Sequence, residues 1–505
     1  MLATASPTPD DSTFATAWSY FRWLHELMPE PFFYTQAFLV FLAIVGLVYW
    51  IIPKRFNTVR VWWLVVASFH FYAAWSAELA FLVLGTTLAD FAMARLIEAA
   101  TTRRRKLFWL LLSLAMNVGL LAYFKYKNFF LDSINEGLAA MGQDRAFSTL
   151  KVMIPFGISF YTFEAISYIV DVYRGRVKAE RSLPHFVLFI LFFPHLVSGP
   201  IVRARDFLHQ TKRCKPLNWL RFQVGVQFFL IGLFKKIVIA DRMLQLYEPV
   251  LSHPLEYSTA AAWMSVLAFA IGLYMDFSGY SDMAVGLAHL FGYRLCKNFD
   301  APYLAVNISE FWRRWHISLS NWLRDYVFIP LGGSRGSTWQ TNRNLMITML
   351  LGGLWHGAAW TYIVWGGLHG LLLIGHRAFR TWCEARPWAD GLLTSRLGTA
   401  WRIAITFIVV ALAWTFFRPD WAGAMQLWKK LLGITTGKPL LLSNRYVWVI
   451  VGCVFAGMLL WRSQWLQRLA TKLHPALVGA AYASCLCGAM LLAPPVGKPF
   501  RYFDF

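Results

Sequence analysis

Apolar runs about as long as a bilayer is thick alternate with short polar connections through nearly the whole chain. They fall roughly over 33–52, 61–76, 78–98, 107–124, 152–170, 184–199, 219–240, 260–275, 281–293, 344–376, 401–417, 446–462 and 475–493. About 20 residues at a helical rise of about 1.5 Å match the hydrocarbon thickness, so such runs read as crossing helices. The pattern predicts an all-α, polytopic membrane protein with about 10–12 transmembrane or re-entrant helices. Several runs are short or interrupted, notably at Pro194 with Gly199-Pro200 and at Pro330 with Gly332-Gly333. Backbone freed at such breaks is tolerated at membrane depth only where protein or a water-filled cavity satisfies it, so the breaks predict a cavity.

Composition agrees: 505 residues that are 58% hydrophobic and 17% aromatic carry more apolar side chain than one soluble core can hide. A formal charge of +22 raises nucleic acid as a partner. The Lys and Arg residues, however, sit in short clusters between apolar runs, which reads as cytoplasmic loops and not as a nucleic-acid groove. Lys54-Arg55 with Arg60, then Arg103 to Lys106, then Arg174, Arg176, Lys178 and Arg181 follow odd-numbered spans. Those loops are expected in the cytoplasm, with the N-terminus and the loop near Asp132, Glu136 and Asp144 on the other side. The first thirty residues lack the basic start and short apolar run of a cleaved signal, and Phe14 to Met28 suits either an interfacial amphipathic helix or a tail. Cys214, Cys296, Cys383, Cys453, Cys485 and Cys487 form no C-x-x-C pair, so neither a disulfide framework nor a metal site is expected.

Chemistry concentrates around two histidines. From Ser309 to Asp325 the polar residues Ser309, Arg313, His316, Ser320 and Arg324 recur at spacings of three and four beside the stripe Phe311, Trp315, Leu319 and Trp322. This spacing predicts one amphipathic helix at an interface or cavity wall. After the turn at Ile329 to Ser334, a second apolar run delivers Trp355-His356-Gly357 into the membrane. Counted from Gly333, His316 lies 17 residues back and His356 lies 23 forward, so an antiparallel fold brings both to similar depth. An imidazole in an apolar helix is often only a satisfied core group. Burial of an ionisable group is nonetheless costly, and the glycines flanking His356 would let a substrate approach closely. Imidazole suits acyl transfer because it can take a hydroxyl proton during attack and return one to a thiolate.

Rival chemistries lack their motifs: there is no G-x-S-x-G elbow and no H-E-x-x-H, and Gly433 to Lys438 is one residue short of a phosphate-binding loop, with Pro439 after its lysine. The run Tyr274 to Asp282 sets Asp276, Ser278, Tyr280, Ser281 and Asp282 in apolar surroundings. They either line the cavity and position substrate or pair with buried cations. His195, His369 and His376 read as structural.

These residues resemble the membrane-bound O-acyltransferase (MBOAT) family, in its bacterial alginate O-acetyltransferase branch. The resemblance runs through Ile154 to Phe163, Asp171 to Gly175, Phe193 to Arg203, Gly232 to Asp241, Asp276 to Asp282, Asn298 to Tyr303, the Arg-Trp-His segment and Trp355-His356-Gly357, and it extends to the aromatic end Pro499 to Phe505. It implies an N-terminal extension over residues 1–30, one helical acyltransferase domain over 31–495 with core motifs in 150–376, and a C-terminal tail over 496–505. His356 corresponds to the family's invariant catalytic histidine and His316 to its second active-site position, with Trp315, Arg313, Ser320, Trp355, Asp276, Ser278, Tyr280 and Asp282 as positioning candidates. The family fold implies helices around a funnel in a bacterial inner membrane. Its function implies that acetyl groups pass from a cytoplasmic thioester, acetyl-CoA as substrate and no bound cofactor, toward an exported polysaccharide or a periplasmic acetyltransferase partner. Basic loops would neutralise the donor's phosphates. A D-alanyl transferase for teichoic acid is the nearest alternative; a transporter or flippase, or a scaffold for an export complex, is the alternative from another class.

Overall fold

The computed structural model describes residues 33–143, 147–148, 153–433, 436–440, 444–463 and 474–492. The expected N-terminal extension over 1–30 and tail over 496–505 lie outside them. Among the described residues the regular elements are helices, apart from one isolated bridge between Tyr257 and Lys438. The first two runs become α1 (Gln36–Ile51) and α2 (Asn57–Ala73), bent by 111° across Pro53, which lacks the amide hydrogen a continuing helix needs. Next come α3 (Ala77–Ala99) and α4 (Arg103–Leu121), the latter running through a π-helical turn at Ala122–Tyr126 into α5 (Lys127–Ala140). They are followed by α6 (Ile158–Tyr173), α7 (Leu183–Leu191), α8 (Phe193–Leu196) and α9 (Ala204–Thr211). A second π turn, Lys235–Ala240, joins α10 (Trp219–Phe234) to α11 (Asp241–Ser252), and α12 (Thr259–Leu290) follows. The chain continues as α13 (Ile308–Arg314), α14 (Ile317–Leu323), α15 (Thr338–His356), α16 (Trp360–Glu384), α17 (Pro387–Thr394), α18 (Arg396–Ala413), α19 (Trp421–Leu432), α20 (Asn444–Ser463) and α21 (Pro475–Leu492).

Among the described residues six helical segments are long and apolar enough to cross a membrane, or seven with the bent α1 and α2 pair. Of the remaining predicted runs, 152–170 and 184–199 lie inside, with nearly every residue of α6, all of α7 after Leu183 and all of α8 buried, whereas α21 is mostly exposed. Two boundaries differ from the sequence reading. The runs 260–275 and 281–293 are one helix, α12, and of the polar residues between them Asp276 pairs with Lys236 and Tyr280 with Ser198. The run 344–376 is two helices, α15 and α16, broken where Gly357 is extended.

Helix α12 is the axis of the molecule, buried without interruption from Ala268 to Ser281. It packs backbone to backbone on α10 at matched glycines. A Cβ on Gly286 would meet Gly225 O at 2.6 Å, and one on Gly279 would meet Gly232 O at 2.7 Å. Small residues at such crossings let helices approach where lipid offers no hydrophobic drive for association.

Side-chain contacts define two ends. Asn57 donates to Thr211 O at 2.9 Å, Arg60 to Lys215 O at 2.7 Å, and Lys212 pairs with Glu180 at 2.7 Å, while Glu98 accepts from Ala179 N at 3.3 Å. The three basic loops of the sequence therefore meet at one end. At the other, Tyr72 donates to Phe156 O at 2.8 Å, Trp75 stacks on Phe156 at 4.1 Å, and Trp360 donates to Ser133 at 3.2 Å. One sign of charge gathered at one end is the arrangement that membrane insertion favours.

Candidate active site

The predicted amphipathic helix over 309–325 breaks in its middle. Helix α13 ends at Arg314, and His316 takes a left-handed backbone, φ 43° and ψ 55°, before α14 begins. For a residue with a Cβ this conformation costs about 1–3 kcal/mol and persists only where neighbours over-determine it. Here Asn298 does so. Its carbonyl accepts from Ile317 N at 2.9 Å, and its Oδ1 accepts from Ser318 N at 3.3 Å and Ser318 Oγ at 2.9 Å. The same Oδ1 lies 3.1 Å from His316 Nδ1. Asn298 Nδ2 in turn donates to Ser281 Oγ of α12 at 3.1 Å.

This arrangement fixes the imidazole. The Ser318 amide is an unambiguous donor, so the Asn298 atom it meets is oxygen, and Nδ1 of His316 must donate to that same oxygen. In the neutral ring the lone pair then sits on Nε2. That atom is buried and has no hydrogen-bond partner among the described residues.

His356 arrives from the other side as the last residue of α15. The end of that helix is held by the π turn between α4 and α5. Lys125 Nζ donates to Trp355 O at 2.6 Å, to His356 O at 3.1 Å and to Ser159 Oγ at 3.3 Å, and Tyr126 OH donates to Leu354 O at 2.8 Å. Carbonyls left open at a helix C-terminus thereby gain partners, and an ammonium complements the dipole. Single π turns often mark functional sites because the widened turn redirects side chains.

The two ring centroids lie 6.3 Å apart. That separation lets both act on one bound group and is too long for a linear bond between their nitrogens. Aromatic rings wall them in. Phe160, Phe277 and Trp355 approach His316 at 6.2, 4.7 and 5.7 Å, while Trp355, Trp365 and Phe417 each lie 5.0 Å from His356. A cleft of about 70 Å³ reaches His356 between Lys125, Phe156, Ser159, Phe160, Ser198 and Trp355. Phe156 belongs to the end opposite the basic loops.

The other predicted residues divide sharply. Trp355 is in the site, where it donates to Ser159 O at 3.3 Å. Trp315 is buried one layer behind, 4.9 Å from Trp414 and 5.1 Å from Phe299, and Ser320 Oγ bonds to its carbonyl at 3.2 Å. Tyr280 packs on Phe33 at 4.6 Å and reaches Ser198 of the cleft, and Ser278 is buried in α12. Asp276 and Asp282 take the pairing alternative: they meet Lys236 at 2.8 Å and Lys235 at 2.6 Å on the second π turn, with Asp241 also 2.8 Å from Lys236. Arg313 is exposed and lines a different groove. His195 lies 3.3 Å from buried Glu164, whereas His369 sits 4.7 Å from Trp365 with neither ring nitrogen hydrogen-bonded among the described residues.

One glycine near His356 serves helix packing. Gly353 lies against Gly366 of α16, where a Cβ on either would stand 3.2 Å from the other's Cα. Asn298, Lys125 and Ser159 escaped the sequence reading. Asn298 opens the segment Asn298 to Tyr303 that carries the family resemblance, and Lys125 follows an apolar run like any interfacial lysine.

A helical membrane protein with two aromatic-walled imidazoles beside a small cleft has the arrangement of a polytopic membrane enzyme. Residues 178–412 match the model of the "MBOAT, membrane-bound O-acyltransferase family". The chain is 43% identical over 385 residues to "Probable alginate O-acetylase AlgI" of Pseudomonas aeruginosa, covering 75% of this chain and 70% of that one. It is 38% identical over 399 residues to "Peptidoglycan O-acetyltransferase" of Helicobacter pylori, covering 74% and 73%. To "Teichoic acid D-alanyltransferase" of Bacillus subtilis it is 30% identical over 277 residues, covering 52% and 68%. The chain belongs to the MBOAT family and is a multi-pass membrane O-acyltransferase.

Proposed function

We propose that this protein moves acetyl groups from a cytoplasmic thioester, acetyl-CoA, across the inner membrane to hydroxyls of an exported, alginate-like polysaccharide, directly or through a periplasmic acetyltransferase. The observation that carries the reading is the convergence of His316 and His356 at 6.3 Å beside a cleft open toward the end away from the basic loops. The positive-inside bias puts the basic end in the cytoplasm and the N-terminus in the periplasm. A cleft of about 70 Å³ suits a short acyl group better than a long chain. The relatives named for O-acetylation align over about three quarters of this chain, against about half for the D-alanyltransferase.

In this mechanism the acceptor oxygen attacks the thioester carbonyl while His356 takes the hydroxyl proton. The carbon–sulfur bond then breaks, the proton returns to the leaving thiolate, and an ester and a free thiol result. His316 orients the acyl group from the opposite side of the reacting carbon, and the aromatic walls keep water from hydrolysing the thioester. The Asn298 contact favours a second division of labour, in which the free Nε2 of His316 takes the proton.

Proteoliposomes given labelled acetyl-CoA on the basic side, with mannuronate oligomers and any partner on the other, test the reading. Thiol release matched by ester formation is expected, and both should vanish in His356→Ala. Full transfer by that variant would remove the catalytic assignment, and movement of unmodified sugar without thiol release would indicate a transporter. Between the two divisions of labour, the base is the histidine whose replacement by Gln removes the acidic limb of the pH–rate profile.

A further inference from the structure

A second, larger recess lies well away from the imidazoles. It holds about 680 Å³ between the start of α13, the C-terminal half of α16 and the start of α18. Trp360, at the N-terminus of α16, belongs to the end away from the basic loops, and His376 lies 16 residues further along, or about 24 Å at the helical rise. The recess is therefore toward the basic end. Between it and the reacting pair stands a closed layer in which Trp365, His369 and Trp312 pack at 4.7 to 5.8 Å.

The lining has two characters. Arg313, Arg380, Arg402 and His376 supply the polar part, and no carboxylate lines the recess. Arg380 has Glu384 at 2.8 Å just outside it, while Arg313 and Arg402 have no carboxylate within salt-bridge distance among the described residues. The charges of all three guanidiniums reach His376. Leu372, Phe379, Ile405 and Val409 supply the apolar part, and Phe379 and Ile405 are half exposed on the outer face of their helices. Trp382, Trp388 and Trp401 are exposed beside it, as tryptophans are at headgroup level.

We propose that this recess binds an anionic glycerophospholipid, its phosphate held by Arg313, Arg380 and Arg402 and one acyl chain laid along Leu372, Phe379, Ile405 and Val409. Two guanidiniums without a carboxylate partner, Arg313 and Arg402, and a third, Arg380, paired only outside the recess, set beside an apolar wall, complement that molecule and no zwitterionic one as well. A soluble phosphoester such as the thioester donor fits less well, because the walls face hydrocarbon and the aromatic layer blocks the way to His356. The site is independent of the acyl-transfer reading and can be tested without activity.

Native mass spectrometry of the full chain in detergent, with phosphatidylglycerol or phosphatidylcholine of the same acyl chains, gives the test. Phosphatidylglycerol should be retained preferentially, and each of Arg380→Gln and Arg402→Gln should weaken retention roughly fivefold. Arg402→Lys should keep most of it, and Arg377→Gln, outside the recess, should keep all of it. Excess inorganic phosphate or coenzyme A should displace nothing. Equal retention of the two lipids, unchanged retention in the Gln variants, equal loss in Arg377→Gln, or displacement by either soluble phosphate would each overturn the proposal.

Discussion

Two clusters of ionisable groups lie deep in this molecule, and they differ in what their neighbours leave undone. Around α12, Lys236 stands 2.8 Å from both Asp276 and Asp241, and Lys235 stands 2.6 Å from Asp282. Each carboxylate there meets an ammonium, Lys236 serving two of the three, so the cluster joins α12 to the α10–α11 pair. Around His316 and His356, the neighbours are mostly aromatic faces, and the polar contacts are spent on orientation: Asn298 on Nδ1 of one ring, Lys125 on the backbone of the other. His316 Nε2 remains available. Burial of a polar group is costly in both places, yet the first cluster spends its charged groups on one another while the second leaves a ring nitrogen open beside a cleft. Intramembrane polarity alone therefore marks importance, and an unspent valence beside a cleft marks candidate chemistry.

The largest effect that would sharpen this contrast is expected at His356. His356→Ala should lower turnover by about 10²–10⁴-fold with thermal stability in detergent nearly unchanged, read from thiol release beside a melting curve. Lys236→Met should do the converse. Leaving two buried carboxylates uncompensated should destabilise the protein by roughly 3–5 kcal/mol, while turnover per folded molecule changes less than twofold. If that turnover fell as far as in His356→Ala, the ion-paired cluster would belong to the chemistry and the contrast would be broken.

A smaller effect is expected at Asn298. Asn298→Ala removes the contact that selects the His316 tautomer and should reduce kcat by roughly 5–150-fold, the range of a lost buried hydrogen bond worth about 1–3 kcal/mol, with KM little changed. A change confined to KM would make Asn298 a substrate contact. Least of all, Lys125→Met should lower kcat by about fivefold, since it loosens the end of α15 by about 1 kcal/mol without touching the reacting atoms. Loss as deep as that of His356→Ala would place the ammonium itself at the reacting group.

Much of this was legible beforehand. Apolar runs announce membrane helices because every crossing segment must satisfy its own backbone, and clustered Lys and Arg announce the end they share because translocating them is disfavoured. His316 and His356 stood out for the same reason, as costly groups in apolar surroundings. The break at His316 did not, since its helical spacing is good and the left-handed backbone there is imposed by Asn298, distant from α14 in sequence terms only through the fold's return.

The sequence by itself determined the solvent, the helical class, the polarity of the two ends and the pair of histidines, because each follows from local composition and the transfer of side chains into lipid. Tertiary structure alone decided which polar residues were spent. Asp276 and Asp282 are neutralised by lysines some forty residues away, Arg313 is turned outward to another groove, and Lys125 crosses more than two hundred residues to hold the backbone of His356. Partnership between groups far apart in the chain is fixed by how helices pack, and no periodicity along one segment records it.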